Sequence, residues 1–214
     1  MPTRLISVSG GFLPVCARDT GLFLGFFISF LFLWLVDRGE RKNEMPSKGV
    51  LVVVFLAIGA LAFDGISSYL GFRDTTNTIR LITGLASGFA LPLLLFPLFN
   101  YQIWRRSSSK LVLAGRWEKM ALLFTTILTF FFMQIIQRIY IPFGAEVISS
   151  LVVISIIFTF VIINLVLVTL LPFWYQKADN ISQLAIPFLL AFALTVIELS
   201  LSFYAHKYLI SLIV

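Results

Sequence analysis

The sequence predicts an all-α fold, a polytopic bundle of transmembrane helices, and three observations support this prediction. Of the 214 residues, 59% are hydrophobic and only 12% are charged. A soluble globular domain is about 25% charged, so this chain has too few polar residues to cover a water-soluble core. The third observation is that the apolar residues fall into six long windows, unlike the short alternating segments of a transmembrane β-barrel. Soluble enzymes are therefore excluded, and nucleic acid is not an expected partner.

Each of the six windows is long enough to cross a membrane as a helix. A hydrocarbon core of about 30 Å requires about 20 residues at a rise of 1.5 Å per residue. Because lipid offers no hydrogen-bond partners, the backbone amides of a window must pair within it, which favours helices. We predict about six spans (five to seven, since a break in the fifth window would give a seventh) in a single transmembrane domain over residues 1–214. The windows are residues 20–36, 49–72, 81–104, 120–137, 145–174 and 183–205.

Proline positions support the boundaries of the later spans. Pro142 precedes the fifth window, Pro172 ends it, and Pro187 lies in the first turn of the sixth. Before the first window, residues 5–17 form an apolar stretch that is too short to span and is interrupted by glycine and proline. We expect this stretch to be a re-entrant or surface segment.

Glycine pairs mark one possible helix contact. Gly21 and Gly25 are four residues apart in the first window, and Gly84 and Gly88 are four apart in the third. Pairs of small residues at this spacing let two transmembrane helices approach closely. The pattern favours a contact between spans one and three.

The distribution of positive charge predicts the orientation of the bundle. The net charge is +6, and loops rich in Lys and Arg tend to remain in the cytoplasm. The loops after spans one, three and five, with their flanking helix ends, carry ten Lys and Arg residues, whereas the opposite side carries six. We therefore predict that the loops after spans one, three and five are cytoplasmic.

A polar cluster on the opposite side is the main candidate site. Asp64 lies inside the second window, where a carboxylate costs roughly 2.5–3.5 kcal/mol, so it requires a partner, and Arg18 and Arg80 are the nearest candidates. Arg73 and Asn77 lie in the connection that leads into span three. Together these residues could bind an anionic headgroup next to the start of a helix. The alternative is a structural network that fixes the packing of spans one to three.

The remaining polar residues offer little chemistry. Glu198 lies inside the sixth window, and Arg138, Gln134 and Gln137 are its candidate partners. With only Cys16 and one histidine available, a zinc or haem site cannot be assembled by ordinary ligand rules, so no metal and no cofactor is expected. No serine-hydrolase, metalloprotease or phosphate-loop motif occurs.

Two segments of the first half of the chain carry a resemblance to a known family. They are Leu13 to Gly21, and Asp64-Gly65 followed by Arg73, Thr75 to Asn77, Arg80 and Thr83-Gly84. In these residues the sequence resembles an uncharacterised prokaryotic family of multi-pass membrane proteins that is known only as a domain of unknown function. That family usually has a second cysteine where this chain has Asp19, and a Cys-His pair further upstream that this chain lacks. The resemblance implies an integral protein of a prokaryotic inner (plasma) membrane and implies no reaction.

Two functions are compatible with these features. The first is a non-catalytic accessory subunit of a larger membrane complex, for example an energy-converting one. The subunit would shape a lipid or quinone path, with membrane lipids and other subunits as partners. It is favoured because the loops are short and the catalytic residue types are few. The alternative is a membrane enzyme or carrier that binds an anionic lipid or polyprenyl phosphate headgroup through the Arg/Asp cluster.

Overall fold

The computed structural model describes residues 4–213, with the side chains of residues 206 and 209–213 excepted. Six helices in this part of the chain are long and apolar enough to cross a membrane, which confirms the predicted all-α membrane bundle. The fifth window forms one unbroken helix, so it does not yield a seventh span. The helices are α1 (Ala17–Asp37), α2 (Lys48–Tyr69), α3 (Asn77–Ile103), α4 (Arg116–Ile136), α5 (Gly144–Thr169) and α6 (Ala185–Ile213), and a 3-10 helix (Ile181–Leu184) leads into α6.

Helices α1, α3 and α5 form the centre of the bundle, and α2, α4 and α6 form its periphery. In their most apolar windows, 44%, 61% and 50% of the residues of α1, α3 and α5 are buried. The corresponding shares are 11% for α2, 22% for α4 and 17% for the sixth span. The peripheral helices therefore present most of their surface to whatever surrounds the bundle.

The predicted contact between the first and third spans is the closest in the molecule. A Cβ added at Gly21 would lie 2.7 Å from the carbonyl oxygen of Leu81, and one added at Gly84 would overlap the carbonyl oxygen of Arg18. The Cβ of an alanine at Gly25 would lie 3.1 Å from the Cα of Gly88. The two helices thus run parallel with their backbones in contact, because the small residues remove the side chains that would separate them.

Aromatic rings fill the centre of the bundle. The Phe30 ring on α1 packs edge-on against three others, with centroid distances of 5.4 Å to Phe96, 5.5 Å to Phe99 and 5.5 Å to Phe158. These rings belong to α3 and α5. Edge-to-face pairs add about 0.5–1.5 kcal/mol each beyond the area they bury, so this cluster stabilises the three central helices together.

The N-terminal segment forms a β-hairpin, which the sequence pattern did not indicate. Strands β1 (Leu5–Val8) and β2 (Gly11–Cys16) pair antiparallel, and Ile6, Val8 and Leu13 are buried. The hairpin packs beside the start of α5, where a Cβ on Gly11 would lie 2.8 Å from that of Ala145. We call this the hairpin end of the bundle.

The loops after α1, α3 and α5 meet at the opposite end. Strand β3 (Lys42–Glu44) pairs in parallel with β4 (Ser108–Leu111), which joins the first loop to the third. A bridge between Trp104 and Ala178 joins the third loop to the fifth. These three loops therefore share one end, which we call the β3–β4 end. That this end faces the cytoplasm remains a prediction from the positive charges.

Candidate functional site

The buried Asp64 is paired with Arg18, one of the two partners considered for it. Nε and Nη2 of Arg18 donate to Oδ2 of Asp64 at 2.9 and 2.6 Å, and Nη2 also donates to the Asp64 carbonyl oxygen at 3.0 Å. The Thr83 hydroxyl donates to the same Oδ2 at 3.3 Å. Side-chain exposure is 13% for Arg18 and 3% for Asp64. The pair joins the first turn of α1 to α2, and Thr83 adds α3.

The local sequence explains how these three helices bring their polar groups together. Gly84 lies against the backbone of Arg18, which places the start of α1 next to the start of α3. Gly65 follows Asp64, and a Cβ there would lie 4.0 Å from Nη1 of Arg18. Gly84 on α3 therefore lies against the Arg18 backbone and Gly65 on α2 lies beside its guanidinium, and this geometry suits a packing network.

Arg80 does not contact Asp64 and has a separate environment. Its Nε donates to Oγ1 of Thr75 at 2.9 Å, and its Nη2 donates to Oγ of Ser68 at 3.4 Å. It is 7% exposed, yet it forms no ion pair with any described carboxylate. Only two hydroxyl groups thus compensate a buried guanidinium, which is an incomplete set for a charged group.

The other two predicted site residues lie apart from the ion pair. Arg73 is exposed in the connection between α2 and α3. Asn77 begins α3, and its Nδ2 donates to the carbonyl oxygen of Leu5 at 3.1 Å, which ties the hairpin to α3. Thr76 is the N-cap of α3, and its hydroxyl oxygen accepts from the Ile79 amide at 3.4 Å. The predicted cluster is therefore divided among an ion pair, a buried arginine and a surface arginine.

Two buried acceptors at the hairpin end have no hydrogen-bond donor among the described residues. They are Oδ1 of Asp64 and Oδ1 of Asn77. Leaving a buried acceptor unsatisfied costs about 1–3 kcal/mol. Water or a ligand group with donors could satisfy them.

Cys16 lies at the junction between β2 and α1, three residues before Asp19. Its thiol donates to Oδ2 of Asp19 at 3.1 Å. Burial is the largest influence and raises the pKa of the Cys16 thiol. Hydrogen bonds from the Asp19 and Arg18 backbone lower this pKa, and the Asp19 carboxylate raises it through its hydrogen bond and its charge. Across the described part of the chain, no three His, Cys, Asp or Glu side chains are grouped to hold a metal.

Glu198 has a different partner from those expected. Arg138, Gln134 and Gln137 are not bonded to it; instead Asn164 of α5 donates from Nδ2 to the Glu198 carboxylate at 2.8 Å and to the Thr195 hydroxyl at 3.1 Å. The prediction failed because it paired span six with the end of span four, whereas α6 packs on α5. Asn164 is 2% exposed, while Glu198 as a residue is exposed, although its carboxylate accepts this bond from α5.

A cavity lies at the β3–β4 end, where the sequence indicated no site. Its volume is about 620 Å³. Phenylalanines from α1, α3 and α5 line its inner part, and Asp37, Arg38, Arg41, Asn100 and Trp104 line its outer part. The sequence signal was present in the arginines after span one, but they were interpreted only as determinants of topology.

Comparison with known proteins places the chain in a family without assigning an activity. Residues 1–94, from the hairpin into α3, match the family described as "Predicted membrane protein (DUF2085)". An uncharacterized protein of Methanothermobacter thermautotrophicus is 34% identical over 93 residues, which cover 44% of this chain and 78% of that protein. An uncharacterized protein of Methanocaldococcus jannaschii is 26% identical over 106 residues, which cover 50% of this chain and 65% of that protein. No solved structure matches the chain. The chain therefore belongs to this family of integral membrane proteins of unknown function.

Proposed function

We propose that the protein is a non-catalytic subunit of a larger complex in the inner (plasma) membrane of a prokaryote. The observation that carries the proposal is Glu198, an exposed acidic residue whose carboxylate accepts from one described side chain, Asn164. Glu198 lies thirteen residues after the start of α6, which is about 20 Å along the helix at 1.5 Å per residue. This position is inside a hydrocarbon core of about 30 Å.

An exposed acidic residue at this depth requires a polar partner outside the isolated chain. Acidic residues in transmembrane helices nearly always face a bundle interior or a water-filled cavity, and exposure to lipid costs about 2.5–3.5 kcal/mol. The Asn164 amide is the single hydrogen-bond donor to Glu198 among the described residues. A neighbouring subunit that covers this side of α6 would remove the carboxylate from lipid.

The apolar surfaces of the peripheral helices are compatible with the proposal but do not carry it. Only 11% of the α2 window and 17% of the sixth span are buried, and lipid covers such surfaces as well as a protein does. Glu198 distinguishes α6 from α2, because lipid tails cannot hydrogen-bond to a carboxylate.

The test is recovery of partner subunits from native membranes. The tagged full chain would be purified in mild detergent as wild type, as Glu198→Leu, and as Ser202→Ala, a control at an exposed position of the same helix. We expect a defined, stoichiometric set of subunits with the wild type and with Ser202→Ala, and loss of that set with Glu198→Leu. Purification of the wild type without partners, or a set that Glu198→Leu leaves intact, would contradict the proposal.

A second candidate function is binding of an anionic headgroup at the hairpin end, and Arg80 favours it. A buried cation without a carboxylate partner is costly unless an anion compensates it, and exposed Arg73 and the start of α3 lie in the same segment. Phosphatidylglycerol retention would be measured by native mass spectrometry for Arg80→Gln and for Arg138→Gln, an exposed arginine at the same end. We expect reduced retention with Arg80→Gln alone; equal retention in the two variants would exclude this site.

A further inference from the structure

We propose that the cavity at the β3–β4 end binds one anionic amphiphile, with its apolar chain between α1, α3 and α5 and its anionic headgroup at Arg38 and Arg41. This inference depends on neither Glu198 nor Arg80. It rests on the cavity's size, its division into an apolar and a polar part, its access to lipid, and the state of its two arginines.

The inner part of the cavity suits a hydrocarbon chain. Its volume of about 620 Å³ is within the range of about 300–1,000 Å³ that small-molecule sites occupy. Phe30, Phe96, Phe99 and Phe158 line it, and the edge-on contacts of Phe30 hold these rings in place. A hydrocarbon chain in this part of the cavity would contact the faces and edges of these phenylalanine rings.

The cavity is accessible from the membrane. Trp34 and Leu35, which line it on α1, are 57% and 66% exposed. Both lie near the end of a membrane-spanning helix, and tryptophan is typical of the level of lipid headgroups. An amphiphile could therefore enter sideways from the bilayer, with its headgroup already at the correct depth.

The polar part of the cavity has two arginines, Arg38 and Arg41, that could bind an anion. Arg41 stacks over the Trp104 ring, with its Cζ 3.9 Å from the ring centroid, and Nη2 donates to the Asp179 carbonyl oxygen at 2.9 Å. Among the described residues, neither Arg38 nor Arg41 forms an ion pair with a carboxylate. Both guanidinium groups retain donors for an anion, because arginine has five N–H groups.

Asp37, the carboxylate of the cavity lining, is already engaged by the backbone. Its Oδ2 accepts from the Arg41 amide at 2.7 Å and its Oδ1 from the Lys42 amide at 3.0 Å. It is 6% exposed. These bonds fold the chain after α1 back over the end of the helix, so Asp37 positions Arg41 at the cavity and does not neutralise its guanidinium.

The test is lipid binding detected at the tryptophans that line the cavity, of which Trp104 is 8% exposed. In a full chain with Trp117 and Trp174 changed to Phe, the two remaining tryptophans, Trp104 and Trp34, both line the cavity. Substoichiometric brominated phosphatidylglycerol in detergent would be compared with brominated phosphatidylcholine, and inorganic phosphate and a short-chain quinone would be added as competitors. We expect saturable quenching by phosphatidylglycerol at one lipid per chain, weaker quenching by phosphatidylcholine, and no displacement by either competitor.

Charge variants locate the headgroup. Arg38→Gln and Arg41→Gln should each weaken phosphatidylglycerol binding by about tenfold or more, because a hydrogen bond to a charged group is worth roughly 1.5–3 kcal/mol. Arg106→Gln, an exposed arginine at the same end, should leave binding unchanged. Leu31→Phe, which narrows the cavity without adding a tryptophan, should reduce quenching while the elution profile of the protein stays the same.

Four outcomes would overturn the proposal. Equal quenching by the two lipids would show that the headgroup charge is not recognised, and displacement by the quinone would indicate a neutral occupant. Displacement by inorganic phosphate would indicate a site that binds the anion alone, without a role for the hydrocarbon chain of the lipid. Equal binding in Arg38→Gln, Arg41→Gln and Arg106→Gln would exclude the two arginines.

Discussion

Arg18 and Asp64 form an ion pair in which Nη2 of Arg18 lies 2.6 Å from Oδ2 of Asp64, and the pair joins α1 to α2. The pair is less exposed than a typical surface ion pair: the Asp64 side chain is 3% exposed, and its Oδ2 also accepts from Nε of Arg18 and from the Thr83 hydroxyl. Because this ion pair lies between α1, α2 and α3, it helps to determine how the three helices pack.

Removing one partner of this pair should destabilise the bundle strongly. Asp64→Leu or Arg18→Leu leaves the other charge buried and unpaired, which costs about 3–5 kcal/mol. The double variant should lose less than the sum of the two single variants, because no charge is then left alone. Unfolding in mixed detergent and denaturant measures this, with exposed Asp74→Asn as the control. Additive losses in the double variant would show that the two side chains are not coupled.

The glycine contact between α1 and α3 gives a second prediction. Gly84→Ala places a Cβ against the carbonyl oxygen of Arg18, so the helices must separate, and overpacking of this kind costs about 1–3 kcal/mol. Gly59→Ala is the matched control, since a Cβ there would meet nothing within 4 Å. Thermal denaturation in detergent should show a lower midpoint for Gly84→Ala and an unchanged or higher midpoint for Gly59→Ala. The same midpoint in both variants would contradict the close approach.

The fold could be predicted from composition and window length because lipid leaves the backbone few alternatives to the helix. The short strands could not, since β3 and β4 are three and four residues long and pair across more than sixty residues of intervening chain. The hairpin was also missed, because Gly10, Gly11 and Pro14 interrupt its apolar pattern and hide the pairing that buries Ile6 and Val8.

The sequence predicts how deep a polar residue lies in the membrane and at which end of the bundle, and the candidate site was predicted only to that extent. Arg18 and Asp64 share a level on the same side, which was enough to identify them as possible partners. The sequence pattern of one helix does not show which other helix packs beside it. Asn164 on α5 was therefore not predicted as the partner of Glu198 on α6. Arg38 and Arg41 were not predicted as site residues, because arginines in loops after a membrane span are already explained by the orientation of the protein in the membrane.

The titration of Cys16 gives a third prediction. Burial and the Asp19 carboxylate both disfavour the thiolate, which raises the pKa of Cys16. The thiolate fraction at neutral pH is therefore lower than in a free thiol, and alkylation should be slower and reach half its maximal rate at a higher pH. Asp19→Asn removes the negative charge and should shift that midpoint to lower pH. The rate of iodoacetamide labelling against pH measures this for the single cysteine of the chain; a midpoint at or below that of a free thiol would contradict it.

The contact between Asn164 and Glu198 gives the last prediction. Asn164→Leu removes the described hydrogen-bond donor of Glu198 and should destabilise the packing of α6 on α5 by about 1–3 kcal/mol, the usual penalty for an unsatisfied polar group. Glu198→Leu in the same chain removes the acceptor as well, and the double variant should recover most of that loss because both positions are then apolar.

The protection of α6 from limited proteolysis in detergent reports on this contact. Thr159→Ala serves as the control, because the Thr159 hydroxyl bonds within its own helix, to the carbonyl oxygen of Ser155. If the double variant were cleaved as fast as Asn164→Leu, the loss would come from the shape of Asn164 and not from the polar pair. Recovery would instead show that Glu198 weakens the isolated bundle, as expected of a carboxylate whose partner lies on another chain.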